Sequence, residues 1–248
     1  MNNIYIYNDT FNSLLSLIYE LSINKIKPYD IKNTSYNKSL FDNLIYLNID
    51  YDDIYIKFIN KSNILFNYLY ILYLSNDINK EIIMYYFYIN YLKYGDKVFY
   101  LRNFKCVSET LRINKYVRGE CHKFKGFTRF KELHNGVLYA NINPTNNILD
   151  LLSNHFKTRL KNEYWIIKDV SRHILSIYNK KDYIIIDESN LKVDLRVSSN
   201  EEMYQDLWKN FYNTIGIKSR RNDRCRMNFM PKKYWKYILE MSDESWRK

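Results

Sequence analysis

The chain has 248 residues, 46% apolar and 26% charged, with 38 Lys and Arg against 27 Asp and Glu for a net charge of +11. That composition suits one large or two small folded domains and excludes a disordered, collagen-like or disulfide-stapled chain. Cys106, Cys121 and Cys225 form no CxxC pair, and the opening MNNIYIYND lacks the basic start and apolar run of a signal peptide, so a cytoplasmic protein with free thiols is expected.

Residues 3–7 (NIYIY) read as a short strand, followed by Asp9 or Thr10 as the cap of a helix that carries Leu14, Leu15, Ile18 and Leu21. Apolar stretches around 64–74 and 82–92 are each about half the roughly 20 residues that cross a bilayer. Asn67 and Asn90 interrupt them, so they are expected to pack as helices, with no membrane partner. Up to Tyr100 there is no Arg, and 9 Lys face 10 acids; the remaining 29 cations and 17 acids lie downstream. All five glycines follow Tyr94. A boundary is therefore expected near Gly95, between a mostly helical N-terminal lobe (1–95) and a basic α+β domain (96–248), unless the two form one continuous unit.

A basic helix is expected over 101–122, with Val107, Leu111 and Tyr116 facing inward. The next run, KGFTRFK, reads as a strand that sets Lys125, Phe127, Arg129 and Lys131 on one face. Asn135-Gly136 signals a two-residue hairpin with positive φ at both positions, which places Leu133 opposite Leu138. A helix from Pro144-Thr145 to Leu160 precedes strands at 165–167, 173–178 and 183–186. The pattern β-β-α-β-β-β predicts an antiparallel sheet packed with helices, an α+β fold. An amphipathic helix over 201–214 (Met203, Leu207, Phe211) and a last one over 232–240 complete the chain.

Three groups of residues can carry chemistry. His155 and Arg159, four apart, flank the apolar arc of Leu149, Leu152, Phe156 and Leu160; they line a phosphate or base site, or else Arg159 is tied to a carboxylate such as Asp169 and His155 is a packing residue. The strand face Lys125, Phe127, Arg129 and Lys131 mixes charge for phosphate with a ring for stacking, or is a solvated hairpin. The third group is Lys218, Arg220, Arg221, Arg224 and Arg226 with Lys232, Lys233 and Lys236, opposed by Asp223 and interleaved with Tyr234 and Trp235. Its field would give salt-sensitive affinity for a polyanion, the alternative being a basic surface that keeps the chain soluble. No GxxxxGK[ST], GxGxxG or GxSxG element occurs, and His122, His134, His155 and His173 are not spaced with Cys or carboxylates as a zinc site. No cofactor or metal is expected in the chain.

From Glu120 onward the landmarks run Glu120-Cys-His-Lys-Phe-Lys-Gly-Phe-Thr-Arg-Phe, Leu-Tyr-Ala-x-Ile-x-Pro, Asn147-Ile-Leu, His155-Phe-x-x-Arg159, Trp165-Ile-Ile-x-Asp169-x-x-Arg172, Leu207-Trp-Lys-x-Phe, Ile217-x-x-Arg220-x-Asn222, and Met230-Pro-x-x-Tyr-Trp with Glu240. This order, with the opening Tyr5-Ile-Tyr-Asn-Asp-Thr-Phe, resembles a family of DNA-metabolism proteins with a domain of unknown function. Its members are encoded beside a radical SAM protein similar to spore photoproduct lyase, and in some relatives a like domain is joined to a uracil-DNA glycosylase domain. Lys168 stands where the family has a His.

The resemblance implies a DNA-binding accessory protein that presents damaged or modified DNA, single- or double-stranded, to a radical SAM partner. Radical chemistry would belong to that partner, because this chain lacks the CxxxCxxC cysteines that hold a cluster. Arg129, Arg159, Arg172 and Arg220 would contact phosphate or a displaced base, His155 would line the same site, and Asp169 would orient an arginine. Phe127 and Trp165 are candidates for the ring that stacks on an unstacked base. The competing expectations are a stand-alone DNA-processing enzyme, glycosylase- or nuclease-like, working through His155 and Asp169, and an RNA-binding module on the same basic surface.

Overall fold

In the computed structural model, which describes residues 2–47, 49–191, 193–220 and 222–241, with only the backbone of Lys218, the chain opens on strand β1 (Asn2–Tyr7), buried from Ile4 to Tyr7. Helix α1 (Phe11–Ile23) follows, capped by Thr10, whose side chain accepts from the Ser13 amide at 3.1 Å. Strands β2 (Asp30–Asn33) and β3 (Asp42–Tyr46) both pair with β1 in parallel, in the order β2-β1-β3. The expected helical lobe thus contains a parallel sheet. Its flanking strands are four and five residues long, and DIKN carries a single apolar residue, so neither announces itself in the sequence. Helices α2 (Ile54–Lys61), α3 (Asn63–Leu74) and α4 (Lys80–Tyr94) complete this part, and Leu14, Leu15, Ile18, Phe58, Leu69, Leu72, Phe87 and Tyr88 are buried in it. Gly95 ends α4 at φ 58°, and a 3-10 turn covers Gly95–Tyr100.

Helix α5 (Lys105–Phe127) starts four residues later than expected and runs five further, taking in Lys125–Phe127 of the segment read as a strand, of which Lys131 alone begins a strand. Its buried positions, Val107, Thr110, Asn114, Val117, Cys121 and Phe124, recur every three or four residues and continue to Thr128, so the helical period holds through Gly119 and Gly126. Leu111 is half-buried and Tyr116 exposed, which corrects the inward face by one position. Thr128 ends the helix by donating from Oγ1 to the Phe124 carbonyl at 2.7 Å.

The chain divides into two compact units, Met1–Arg118 and Gly119–Lys248, so the division falls inside α5. The second unit is built on a five-stranded sheet of order β4-β5-β6-β7-β8, from β4 (Lys131–Glu132), β5 (Leu138–Ile142), β6 (Trp165–Asp169), β7 (Ile174–Tyr178) and β8 (Tyr183–Asp187). The fold is α+β as expected, but the sheet is mixed: β5 and β6 run parallel, and the other three pairings are antiparallel. The cause is α6 (Leu149–Arg159), which carries the chain back from the end of β5 and makes β5-α6-β6 a crossover.

The β4-β5 hairpin pairs Glu132 with Leu138 and Lys131 with Tyr139, one residue away from the expected register. Only Gly136 has positive φ, at 77°, while the Leu133 amide reaches the Val137 carbonyl at 2.9 Å across a three-residue loop. A three-residue loop with glycine in the left-handed position is the next most common hairpin after the two-residue one, and the one-residue slip exchanges the faces.

Helix α6 lies on the sheet face that carries Trp165, Ile167, Ser176 and Tyr178, with Ser153 donating to Ser176 Oγ at 2.6 Å. The opposite face holds a small cluster of Leu133, Tyr139, Ile166 and Leu175. Helix α7 (Glu201–Ile215) matches the expected amphipathic helix, and α8 (Asp223–Phe229), unforeseen, is capped by Asn222, whose Oδ1 accepts from the Cys225 amide at 2.9 Å. The expected last helix is instead two 3-10 turns, Lys232–Tyr237 and Leu239–Met241. Tyr234 and Glu240 both point into the unit, and on an α-helix they would diverge by about 120°.

Candidate functional site

The parallel strands β5 and β6 end side by side, and the residues just beyond them meet. Asp169, fully buried at the end of β6, accepts from Arg172 Nη1 at 2.9 Å, from Ser171 Oγ at 2.9 Å and from the Ser171 amide at 3.1 Å. Arg172 also donates to the carbonyls of Pro144 at 3.2 Å and Thr145 at 2.6 Å. The same loop is gripped from the other side by Glu120 of α5, 4% exposed, which accepts from the amides of Thr145 and Asn146 at 2.9 Å each, from Asn146 Nδ2 at 2.6 Å and from the Tyr234 hydroxyl at 2.5 Å. Lys233 Nζ donates to Thr145 Oγ1 at 2.8 Å. Burial alone would push the Glu120 carboxyl up, but the hydrogen bonds from Tyr234, Thr145 and Asn146 outweigh it and hold it below the ordinary glutamate range.

This node tells which candidates are already engaged. Asp169 is paired with Arg172, not Arg159, and the guanidinium of Arg172 is spent on Asp169 and two carbonyls. Arg129, between α5 and β4, does not share a strand face with Lys125 and Phe127, which lie in the last turn of α5. Its guanidinium forms a two-bond pair with Glu240, at 3.2 and 2.5 Å, and sits over the Trp208 ring, whose Nε1 donates to the same carboxylate at 3.1 Å. Trp165 is fully buried and stacked on Tyr178 at 5.0 Å, so its ring is not presented to a base, whereas Phe127, packed against Phe124 and Tyr234, is half-buried. Arg226 is paired with Asp223 at 3.0 Å and lies over Trp235.

Other candidates remain open to solvent. Arg159, Arg220, Arg224, Lys232 and Lys233 are exposed, Lys125 and Lys131 are half-buried, and among the described residues none of the seven makes an ion pair. Lys232 lies over Trp235 and Lys131 over Tyr139. Arg221 and the side chain of Lys218 lie outside the described residues. His155, half-buried on α6 against Phe156, has an Nε2 with no hydrogen-bond partner among the described residues. Burial, with the charges of Lys125 and Arg159 adding to it, holds its pKa below the ordinary histidine value, so the ring is neutral near pH 7.

Beside β4, on the face opposite α6, a cleft of about 190 Å³ is lined by Arg129, Lys131, Tyr139, Asn141, Lys236 and Tyr237, among others. Burial, with Glu188 and Tyr237 adding to it, pushes the Tyr139 hydroxyl up to about 12, so it stays a neutral donor, here to Asn141 Oδ1 at 2.9 Å. Glu120, Thr145, Asn146, Tyr234 and Glu240 were not among the residues assigned a role from sequence. The available signal was phase: Glu120 lies on the buried arc of α5 with Val117, Cys121 and Phe124, and a buried carboxylate requires donors.

Among the described residues no three His, Cys, Asp or Glu side chains gather as metal ligands, and no helix is long and apolar enough to cross a membrane. Neither a curated protein nor a solved structure gives a significant match to the chain. Residues 78–240 match the family model described as Domain of unknown function DUF4130, a span that takes in α5, the whole mixed sheet and the node around Glu120 and Asp169. That span is more than half of the chain, and the protein therefore belongs to the DUF4130 family, a domain of unknown function.

Proposed function

We propose that the chain is a nucleic-acid-binding protein of DNA metabolism that presents damaged or modified DNA to a radical SAM partner. The observation that carries the reading is how the second unit distributes its cations. Arg129, Arg172 and Arg226 are paired with acids, whereas Lys125, Arg159, Lys232 and Lys233 are left without an acidic partner among the described residues. Cations without internal partners provide the sequence-independent, salt-dependent grip on phosphates. The cleft of Lys131, Asn141, Lys236 and Tyr237 adds hydrogen-bonding groups and a ring at the scale of one base.

The test is binding to single- and double-stranded DNA across a salt series, comparing wild type with Lys125→Gln/Arg159→Gln/Lys232→Gln/Lys233→Gln. Wild-type affinity is expected to fall with salt, and the variant to flatten the log-log slope by roughly 0.9 for each phosphate contact removed. No binding of either form at low salt overturns the reading, and tighter binding to RNA of the same sequence turns it toward an RNA module.

A second reading, a DNA-processing enzyme, is favoured by one feature, the unpartnered and neutral imidazole of His155. Asp169 gives it no support as a base, because both carboxylate oxygens are occupied by Ser171 and Arg172. Processing of damaged DNA by the isolated chain, lost in His155→Ala, would replace the accessory role with this one.

A further inference from the structure

Helix α7 is packed on its polar side. At 100° per residue, Glu201, Gln205, Lys209 and Tyr212 fall on one arc, and these are its buried and half-buried residues. Met203, Tyr204, Leu207, Trp208, Phe211 and Ile215 fall on the other, and each is between 40% and 59% exposed. Trp208 is held from one edge by Glu240 and Arg129 and meets Phe211 within the stripe, and Tyr204 borders a cleft with Leu138 and Leu239; every member of the stripe still stays exposed. At its C-terminal end the stripe runs into a groove of about 620 Å³, whose lining includes Ile215, Ile217 and Phe229 and whose rim includes Arg220. Six large apolar side chains aligned on one helix form the kind of contiguous patch that marks a protein interface.

Charge identifies the occupant. The N-terminal half of α7 carries Glu202 and Asp206, exposed and unpaired among the described residues, while Arg220 and Arg224, also exposed and unpaired, follow its C-terminal end. An apolar stripe acidic at one end and basic at the other complements itself when two copies meet antiparallel about a two-fold axis. Three of the six side chains are aromatic, but the exposed carboxylates of Glu202 and Asp206 beside them repel the phosphates a nucleic acid would bring.

We propose that α7 is the interface of a symmetric homodimer, in which two α7 stripes pack antiparallel. Leu207 of each copy then meets Phe211 of the other, and Glu202 and Asp206 approach the Arg220 and Arg224 of the second copy. The groove at the end of each helix receives the N-terminal turn of the second α7.

Sedimentation of the full chain without nucleic acid, over a range of micromolar concentrations, reads this directly. Wild type is expected to associate reversibly to a dimer, and Leu207→Gln/Phe211→Gln to weaken association roughly 30-fold or more, as truncation of central apolar anchors does. Glu202→Arg/Asp206→Arg and Arg220→Glu/Arg224→Glu should each dissociate alone and form a heterodimer when mixed, because the reversed charges then meet their opposites. Recovery on mixing separates an interface effect from misfolding. A monomeric wild type, a dimer that Leu207→Gln/Phe211→Gln leaves intact, or charge variants that do not recover on mixing would each overturn the proposal.

Discussion

Glu120 shows how one side chain sets the geometry around it. Its carboxylate collects four donors from two segments: two backbone amides and a side-chain amide from the 144–148 loop, and a hydroxyl from the 3-10 turn that holds Tyr234. Replacing it with an amide leaves at least one of those donors facing an N–H, so Glu120→Gln is expected to cost about 1–3 kcal/mol. Since the folded pKa lies below the ordinary 4.5, the ionised form's contribution is complete above that value and is lost as pH falls through the folded one. In urea unfolding, the gap between wild type and Glu120→Gln should therefore be widest at neutral pH and narrow below pH 4.5. A gap that does not change with pH would mean that the carboxylate is not held ionised by its donors. Glu81, also buried, goes the other way: burial outweighs its hydrogen bonds and raises its carboxyl.

At the scale of elements, α5 and the β4-β5 hairpin show two local signals being settled by their surroundings. KGFTRFK alternates well enough for a strand, yet the period of three to four that begins at Val107 continues to Thr128 and buries Cys121 and Phe124. Continuing a helix adds a hydrogen bond for each residue fixed, so the longer pattern wins. In the hairpin, the dipeptide Asn135-Gly136 marks the turn correctly but not its length. Gly136 is the residue that needs left-handed backbone, and a Cβ there would meet nothing within 4 Å. Gly136→Ala should thus pay for backbone strain alone, about 1–2 kcal/mol in urea unfolding, without changing the slope of the transition. A much larger loss would point to a packing role that the open space around Gly136 does not support.

For the whole molecule, the +11 net charge is carried by the part of the chain after Tyr100, where Lys125, Arg159, Arg220, Arg224, Lys232 and Lys233 have no ion-pair partner among the described residues. Mutual repulsion among them opposes the folded state, and exposed ion pairs contribute little to offset it. The thermal midpoint is expected to rise between low and physiological salt as the repulsion is screened within a Debye length of about 8 Å. A fall with salt would show that ion pairs such as Arg129–Glu240 and Arg172–Asp169 outweigh the repulsion.

The sequence by itself determined the elements whose signal is local. The α1 start at Asp9 or Thr10, the amphipathic stripe of α7 and the last three strands of the mixed sheet follow from period, capping and composition. The tertiary structure alone decided which arginines are free. Arg129 looked like a surface cation, but its partner Glu240 lies 111 residues away; Arg159 looked ready for Asp169, but Arg172 is three residues from that carboxylate and takes it. It also decided that β5 and β6 run parallel and that α7 turns its apolar stripe outward. Periodicity reports which side of an element is apolar; the rest of the fold sets what that side packs against, and a buried charge is satisfied by whichever donors the fold brings within reach.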